Sequence, residues 1–135
     1  MEVKFYNSLS NKVETFVPQE EGKVSMYVCG PTVYSYPHIG NMRPVVVFDT
    51  LRRFLTYIGY DVTYVSNVTD VDDKIIAAAK ANNTTEKEIA KYYEDVYFKN
   101  TKDIGSLTPT IVPRVTEYIQ SIINYIDNLV KKDAA

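Results

Sequence analysis

The sequence predicts an α/β domain built on a small parallel sheet with flanking helices, preceded by a β-hairpin and followed by a helical C-terminal segment. Residues 23–29 and 61–67 are apolar-rich runs that alternate with the period of a strand. The segment between them has helical spacing, so the chain order is strand, helix, strand. At 135 residues and 45% hydrophobic content, the chain is long enough for one domain with one core.

Residues 1–22 are expected to form a peripheral hairpin. Residues 3–6 and 13–16 are short apolar-rich runs, and the five residues between them are mostly polar, as in a turn.

Residues 23–82 are expected to form the βαβ core, with a right-handed connection. The connecting helix is predicted from about Asn41 to Tyr57, with Gly59 at the position of a C-terminal helix glycine. Pro44 is expected in its first turn, where the loss of an N–H costs little. The helical spacing is carried by Phe48, Leu51, Leu55 and Ile58.

Residues 83–135 are expected to be mainly helical. A short helix over 75–81 ends at Asn82 and Asn83, and Thr85 with Glu88 forms a capping-box pattern for the next helix. Residues 107–113 are interpreted as a proline-interrupted connection. The last amphipathic helix is marked by Val115, Ile119, Ile122, Ile126 and Leu129.

Two parallel strands make a small sheet for this amount of helix, because open α/β domains normally have four or more strands. We therefore expect the chain to be the first part of a larger fold. Twelve tyrosines are present, and those on the predicted helices, Tyr92, Tyr93 and Tyr97, are interpreted as packing at the rim of the core rather than as a stacking surface.

Composition excludes several classes of protein. The net charge of −2 gives no global basic field for nucleic acid, so an RNA partner would have to be held locally. One Cys excludes an intramolecular disulfide and fits a reducing compartment. No apolar run approaches the roughly 18 residues needed to span a bilayer, and no signal-peptide pattern is visible. We expect a cytoplasmic protein without a membrane partner.

Residues 28–41, with the sequence VCGPTVYSYPHIGN, contain the only Cys, the only His and two of the five Gly. They span a strand end, a loop and a helix start, which is where α/β folds bind phosphates. The loop matches neither GxxxxGK[ST] nor GxGxxG. His38 and Asn41 lie three residues apart and can both face a ligand at the helix start, and Gly40 permits its close approach. A nucleotide site is one interpretation; a His that only caps the helix or packs its ring is the other.

The same stretch resembles the HIGH signature region of the class I aminoacyl-tRNA synthetases, and specifically of the cysteinyl-tRNA synthetases. The resemblance continues through residues 47–49, 59–62, 66–76 and 113–119, and so covers nearly the whole chain. One letter departs from the signature, because Asn41 replaces the second His. The resemblance implies a partial Rossmann-like (HUP-type) sheet and the N-terminal half of a catalytic domain, whose helices over 83–135 lead toward the family's connecting insertion.

For this family, the resemblance implies ATP-dependent activation of cysteine to its adenylate and transfer to tRNA(Cys), with Mg²⁺ accompanying ATP. The attacking carboxylate is already ionised at neutral pH, so the first step depends on alignment and on charge stabilisation. His38 and Asn41 would be the catalytic donors. The implied nucleotide contacts are Gly30, Thr32, His38, Gly40 and Asn41.

The implied contacts of the cysteine substrate are Cys29, Gly30, Thr32 and Thr69. Cys29 would also be one of four zinc ligands in the complete enzyme, where zinc binds the substrate thiolate. The chain has no other Cys, and its one His is assigned to the nucleotide, so we expect an incomplete zinc site here. Without the resemblance, a lone Cys is more often a small buried apolar residue.

Two further groups of charged residues each have two interpretations. The acidic run over 70–73 suggests a metal site, but we favour Thr69 or Asp70 as a helix cap, with the acids complementing the helix dipole. Arg114, Lys131 and Lys132 are candidate tRNA contacts, or else solvated surface.

The family's KMSKS loop is absent from the sequence, so we expect a truncated, monomeric portion of the enzyme, doubtful in activity alone and lacking the C-terminal part. Two alternatives stay open: a non-catalytic fragment that binds nucleotide or tRNA, and the related ligase that joins cysteine to an amino sugar.

Overall fold

The computed structural model describes residues 2–134 and begins with the predicted hairpin. Strands β1 (Lys4–Asn7) and β2 (Lys12–Thr15) pair antiparallel. Asn11 turns the chain with a positive φ of 55°, a conformation that Asn tolerates better than most residues. Just after β2, Phe16 packs edge-on against Tyr60, with ring centroids 5.9 Å apart, which attaches the hairpin to the rest of the molecule.

The predicted βαβ unit is confirmed. Strands β3 (Lys23–Val28) and β4 (Asp61–Ser66) pair in parallel, and helix α1 (Ile39–Tyr57) connects them. Because the register is parallel, both strands end at the same edge of the sheet, and the loops that follow them emerge side by side.

The C-terminus of α1 confirms the role predicted for Gly59, which adopts a φ of +103°. Its N–H donates to the Thr56 carbonyl at 3.0 Å, and the Tyr60 N–H donates to the Leu55 carbonyl at 3.1 Å. This pair of bonds is a Schellman motif, which leads the chain directly from α1 into β4.

The prediction that Pro44 lies in the first turn of α1 is wrong. The helix begins at Ile39, two residues before the expected Asn41, so Pro44 is its sixth residue. The earlier start has a local cause, because the His38 side chain caps the helix. Pro44 carries no N–H, so it cannot donate to the Gly40 carbonyl as a helical residue ordinarily would.

Helix α2 (Asp73–Ala81) ends as predicted, with Asn82 as its cap, but the interpretation that Thr69 or Asp70 caps its start is wrong. The Asp72 carboxylate accepts the Lys74 N–H at 2.9 Å. Thr69 is unsuited to capping because its backbone still pairs in an extended bridge with Thr32.

Helix α3 (Glu86–Asp103) begins with the predicted capping box. Thr85 Oγ1 accepts the Glu88 N–H at 3.2 Å, and the Glu88 carboxylate accepts the Thr85 N–H at 3.1 Å. The helix packs against α2 over the main buried cluster. This cluster contains residues of α2, of α3 and of the loops after β3 and β4: Val33, Val68, Ile75, Ala79, Ile89 and Ala90.

Residues 110–114, most of which belong to the connection predicted over 107–113, run parallel to β4 and extend the sheet. The Thr110 N–H donates to the Tyr64 carbonyl at 2.7 Å, and the Ser66 N–H donates to the Ile111 carbonyl at 3.1 Å. Pro113 within this segment and Pro109 directly before it have no N–H to donate to the ladder, and the pairing consists of isolated bridges.

The last predicted helix is confirmed, although its first turn is a 3₁₀ turn over Val115–Tyr118, followed by α4 (Ile119–Val130). None of the residues of α4 is buried. Across residues 2–134, no helix combines the length and the apolar character needed to cross a membrane.

Candidate functional site

The start of α1 is fixed by two reciprocal hydrogen bonds. His38 Nδ1 accepts the Gly40 N–H at 3.0 Å, and Asn41 Oδ1 accepts the His38 N–H at 2.9 Å. The His38 cap, one of the two interpretations of this residue, is therefore confirmed. Capping does not use up either side chain. An accepting Nδ1 leaves the ring proton on Nε2, and Asn41 retains both protons of Nδ2.

Gly40 is required at this helix start for a steric reason. A Cβ atom at this position would lie 2.7 Å from His38 Cε1 and 2.9 Å from Nδ1. Any larger residue would therefore displace the His38 ring from its cap.

Two adjoining open clefts lie around the helix start. One lies between α1 and the strand ends and is lined in part by Cys29, Gly30, Gly40 and Asn41. The other lies along the loop after β3 and includes Thr32, His38 and, again, Asn41. The structure thus brings the predicted nucleotide contacts to two clefts, and Asn41 lines both of them.

Gly30 lies where the two strand ends approach most closely. A Cβ atom there would be 1.6 Å from the Asn67 carbonyl oxygen, which no side chain could tolerate. The Gly30 N–H donates to Asn67 Oδ1 at 2.9 Å. Glycine is therefore the only residue type that fits at position 30, where the backbone passes this close to Asn67.

Thr32 and Thr69 lie side by side, because each follows one of the two neighbouring parallel strands. The Thr69 N–H donates to the Pro31 carbonyl at 2.9 Å, and the Val33 N–H donates to the Thr69 carbonyl at 3.2 Å. The sheet thus continues for one bridge beyond β3 and β4.

The predicted contacts lie at the strand ends and at the helix start. Cys29 is exposed and lines the cleft beneath α1 together with Val28, while His38 and Asn41 lie at the helix start. The site therefore has a half at the strand ends and a half at the helix start, with Gly30 between them.

The described residues do not fit a zinc ion. Cys29 is exposed and free, and residues 2–134 contain no cluster of three or more His, Cys, Asp or Glu side chains that could hold a metal. A tetrahedral protein site needs several such ligands, so no step is assigned to zinc.

Two carboxylates of the acidic run over 70–73 accept hydrogen bonds from backbone N–H groups. Asp72 caps α2, and Asp70 accepts the Thr116 N–H at 3.0 Å. These bonds agree with a structural role, although the capping residue differs from the predicted one.

Arg114, a candidate tRNA contact, is paired within the molecule. Its Nε donates to Glu94 Oε1 at 2.9 Å, and the Glu94 side chain is only 7% exposed. The hydrogen bond that Arg114 donates to Glu94 raises the pKa of Arg114 above its usual range. This pair attaches the extended segment beside β4 to α3.

Two residues of the site were missed by sequence reasoning. Asn67 joins the two strand ends, and the only signal was a polar residue directly after a predicted strand. Tyr97, predicted to pack, is buried as expected but also lines both clefts. Desolvation by burial raises the pKa of Tyr97 to about 12, so its hydroxyl stays neutral near neutral pH.

Aromatic contacts hold the loop after β3 against α3. Tyr36 packs edge-on against Tyr93 at 5.3 Å between ring centroids, and its hydroxyl lies 2.7 Å from that of Tyr92. The Tyr92 hydroxyl has a raised pKa, chiefly because of this hydrogen bond.

Comparison with known proteins places these features in one family. Residues 15–135 match the model of the tRNA synthetases class I (C) catalytic domain. The cysteine–tRNA ligase of Lachnoclostridium phytofermentans is 53% identical over 133 residues, covering 98% of this chain and 28% of the relative. That of Lysinibacillus sphaericus is 54% identical over 140 residues, covering 100% and 29%. That of Clostridioides difficile is 53% identical over 133 residues, covering 98% and 29%.

The chain thus spans less than a third of the length of the curated relatives that it matches. The family model nevertheless covers the strand ends, the loop between them and the capped helix start that form both halves of the site. The chain belongs to the family of class I (C) tRNA synthetase catalytic domains.

Proposed function

We propose that this chain supplies part of the active site of a cysteine–tRNA ligase, which activates cysteine with ATP and transfers it to tRNA(Cys). The observation that carries the proposal is the start of α1, where His38 and Asn41 are fixed by their caps and each keep a free donor. The names of the relatives, each a cysteine–tRNA ligase, support the choice of amino acid.

In the first step, a carboxylate oxygen of cysteine attacks the α-phosphorus of ATP. A new P–O bond forms, the bond between the α-phosphorus and the bridging oxygen breaks, and pyrophosphate leaves with the electron pair. Negative charge builds on the phosphate oxygens, and stabilising it is the protein's main task. His38 Nε2, Asn41 Nδ2 and the first N–H groups of α1 are donors suited to it. Mg²⁺ enters with ATP as part of the substrate.

In the second step, a ribose hydroxyl of the tRNA's terminal adenosine attacks the carbonyl carbon of the adenylate. An ester bond forms between the ribose oxygen and the carbonyl carbon, the bond from that carbon to the phosphate oxygen breaks, and AMP leaves with the electron pair while the hydroxyl proton passes to solvent. Gly30, Thr32 and Gly40 serve as further nucleotide contacts in this proposal, since Gly30 and Gly40 line one cleft and Thr32 the other.

The cysteine is assigned to the strand-end half of the site. Cys29, Gly30, Thr32 and Thr69 follow the two parallel strands, and Thr32 and Thr69 form a bridge. The hydroxyls and the Gly30 backbone offer polar contacts to an amino acid. Cys29 is retained as a contact of the substrate only.

We assign residues 1–22 to a peripheral hairpin, 23–82 to the nucleotide-binding core, and 83–135 to helices that lead toward the insertion of the complete domain. The ligase is proposed to act in the cytoplasm, since the free Cys29 suits a reducing compartment. We propose that it acts as a monomer.

The proposal is tested by cysteine-dependent exchange of labelled pyrophosphate into ATP, measured on the natural-length protein that carries this chain. We expect exchange with cysteine and none with serine. Aminoacylation of tRNA(Cys) is then compared with transfer to an amino sugar. No exchange, or transfer only to the amino sugar, would contradict the proposed function.

A further inference from the structure

We propose that Asn67 is a positioning residue for the amino-acid half of this site, setting the backbone of Gly30 and the direction of the Thr69 hydroxyl. The inference rests on the proposed function and deepens it. It concerns a residue that touches two predicted substrate contacts without being one of them.

Both ends of the Asn67 carboxamide are used. Oδ1 accepts the Tyr27 O–H and the Gly30 N–H, each at 2.9 Å, and Nδ2 lies 3.3 Å from Thr69 Oγ1. One side chain thus links the end of β3 to the segment after β4.

The orientation of the amide follows from chemistry. A backbone N–H can only donate, so the Asn67 atom that faces Gly30 must be the oxygen. The Nδ2 group then faces Thr69 and donates to its hydroxyl oxygen. The Thr69 proton is left free, and within residues 2–134 it is donated to no protein group.

A hydroxyl that accepts from one side presents its proton to the other. Thr69 is therefore arranged as a donor toward an acceptor atom, and the carboxylate and thiolate of cysteine are both acceptors. Because a hydroxyl otherwise rotates freely, fixing its direction lowers the cost of ordering it when the substrate binds.

The same side chain restrains Gly30. The backbones of Gly30 and Asn67 approach so closely that a Cβ atom would overlap the Asn67 carbonyl, and the Asn67 side chain binds the Gly30 N–H across this crossing. Two of the four predicted cysteine contacts, Gly30 and Thr69, thus depend on one amide.

A purely structural role for Asn67 makes a different prediction. If the amide only stabilises the strand ends, its loss lowers the free energy of unfolding and affects cysteine and ATP alike. If it positions Gly30 and Thr69, its loss weakens cysteine binding selectively, because His38 and Asn41 make no hydrogen bond to Asn67.

The experiment uses the natural-length protein, with L-cysteine binding measured by equilibrium dialysis and the KM values for cysteine and ATP measured by pyrophosphate exchange. The variants are Asn67→Ala, Thr69→Val and the double variant. Ser25→Ala is the control, since Ser25 is exposed on the same face of β3 as Tyr27 and is not among the hydrogen-bond partners that the Asn67 side chain has within residues 2–134.

We expect Asn67→Ala to weaken cysteine binding about tenfold, the usual effect of losing one or two hydrogen bonds, with the KM for ATP unchanged. The double variant should bind cysteine about as weakly as Asn67→Ala alone, because Thr69 is not oriented once the amide is gone. Ser25→Ala should match the wild type.

Unchanged cysteine affinity in Asn67→Ala, an equal loss for ATP, or fully additive losses in the double variant would overturn the inference. If Asn67→Ala does not fold, Asn67→Ser is judged by the same criteria, since it keeps a hydroxyl but is too short to reach Thr69. Wild-type protein that binds no cysteine would overturn the proposed function, and the inference with it.

Discussion

At the scale of single residues, His38 has two roles that can be separated by substitution. Its Nδ1 caps α1, whereas its Nε2 is the donor assigned to the phosphate. Asparagine is among the best N-cap residues, so we expect His38→Asn to keep the cap while removing the Nε2 donor.

We expect His38→Asn to lower the rate of cysteine activation by about 10²-fold, as for loss of one donor to a developing charge, with little change in the KM for cysteine. Pyrophosphate exchange on the natural-length protein measures both. His38→Ala, which also loses the cap, should in addition be less stable by about 1 kcal/mol. An unchanged rate in His38→Asn would leave His38 as a cap alone.

Gly30 and Gly40 allow the same change of one methyl group to be compared at two positions. At Gly30 the added Cβ would meet a backbone carbonyl, which cannot move aside, while at Gly40 it would meet a histidine ring, which can. We expect Gly30→Ala to destabilise the protein by about 3 kcal/mol, and Gly40→Ala by only about 1 kcal/mol, the cost of losing the His38 cap. Denaturant titration followed by circular dichroism measures both, and equal stabilities would show that the strand ends are not closely packed.

At the scale of elements, the capping box of α3 makes stability depend on acid pH. The Glu88 carboxylate accepts hydrogen bonds from the Thr84 hydroxyl and from the N–H and hydroxyl of Thr85, and these bonds lower its pKa from 4.5 to about 2. Since the pKa is lower in the folded state, this contribution is present above pH 4.5 and is lost as the pH falls toward 2.

The matched variant is Glu88→Gln, which has the same shape but does not titrate. We expect the wild type to be the more stable of the two near neutral pH, and the difference to shrink as the pH falls from about 4.5 to about 2. Denaturation midpoints measured across this range test the expectation. A difference that does not vary with pH would mean that the Glu88 carboxylate is not stabilised by the cap.

Elements set by local signals were predictable, and elements set by distant contacts were not. The Schellman motif at Gly59 and the box at Thr85 and Glu88 involve neighbouring residues, so the sequence alone indicates them. The parallel pairing of residues 110–114 depends on β4, far away in the chain, and Pro109 and Pro113 obscure the strand pattern in the sequence. The predicted cap of α2 was wrong because Thr69 is still extended, paired in a bridge with Thr32, and the helix is capped only at Asp72.

At the scale of the whole molecule, the site predicted from one loop is built by several elements. The loop after β3 supplies Cys29, Gly30 and Thr32, as the sequence indicated, and α1 supplies its capped start. The contributions of Asn67 and of Tyr97 could not be read from the motif, because they arise from the parallel register and from the packing of α3.

The strand-end half and the helix-start half of the site correspond to the two ends of the proposed reaction intermediate. An aminoacyl adenylate has its amino acid at one end and its nucleotide at the other, joined through one phosphate. Gly30 lies between the two halves, so a single such molecule should contact both of them at once.

The most direct test is a crystal structure of the natural-length protein with a non-hydrolysable sulfamoyl analogue of cysteinyl adenylate. We predict that the sulfamoyl group lies within hydrogen-bond distance of His38 Nε2 and Asn41 Nδ2, and that the amino-acid end lies beside Gly30 and Thr69. An analogue bound elsewhere, or one that leaves His38 and Asn41 without contact, would contradict the account.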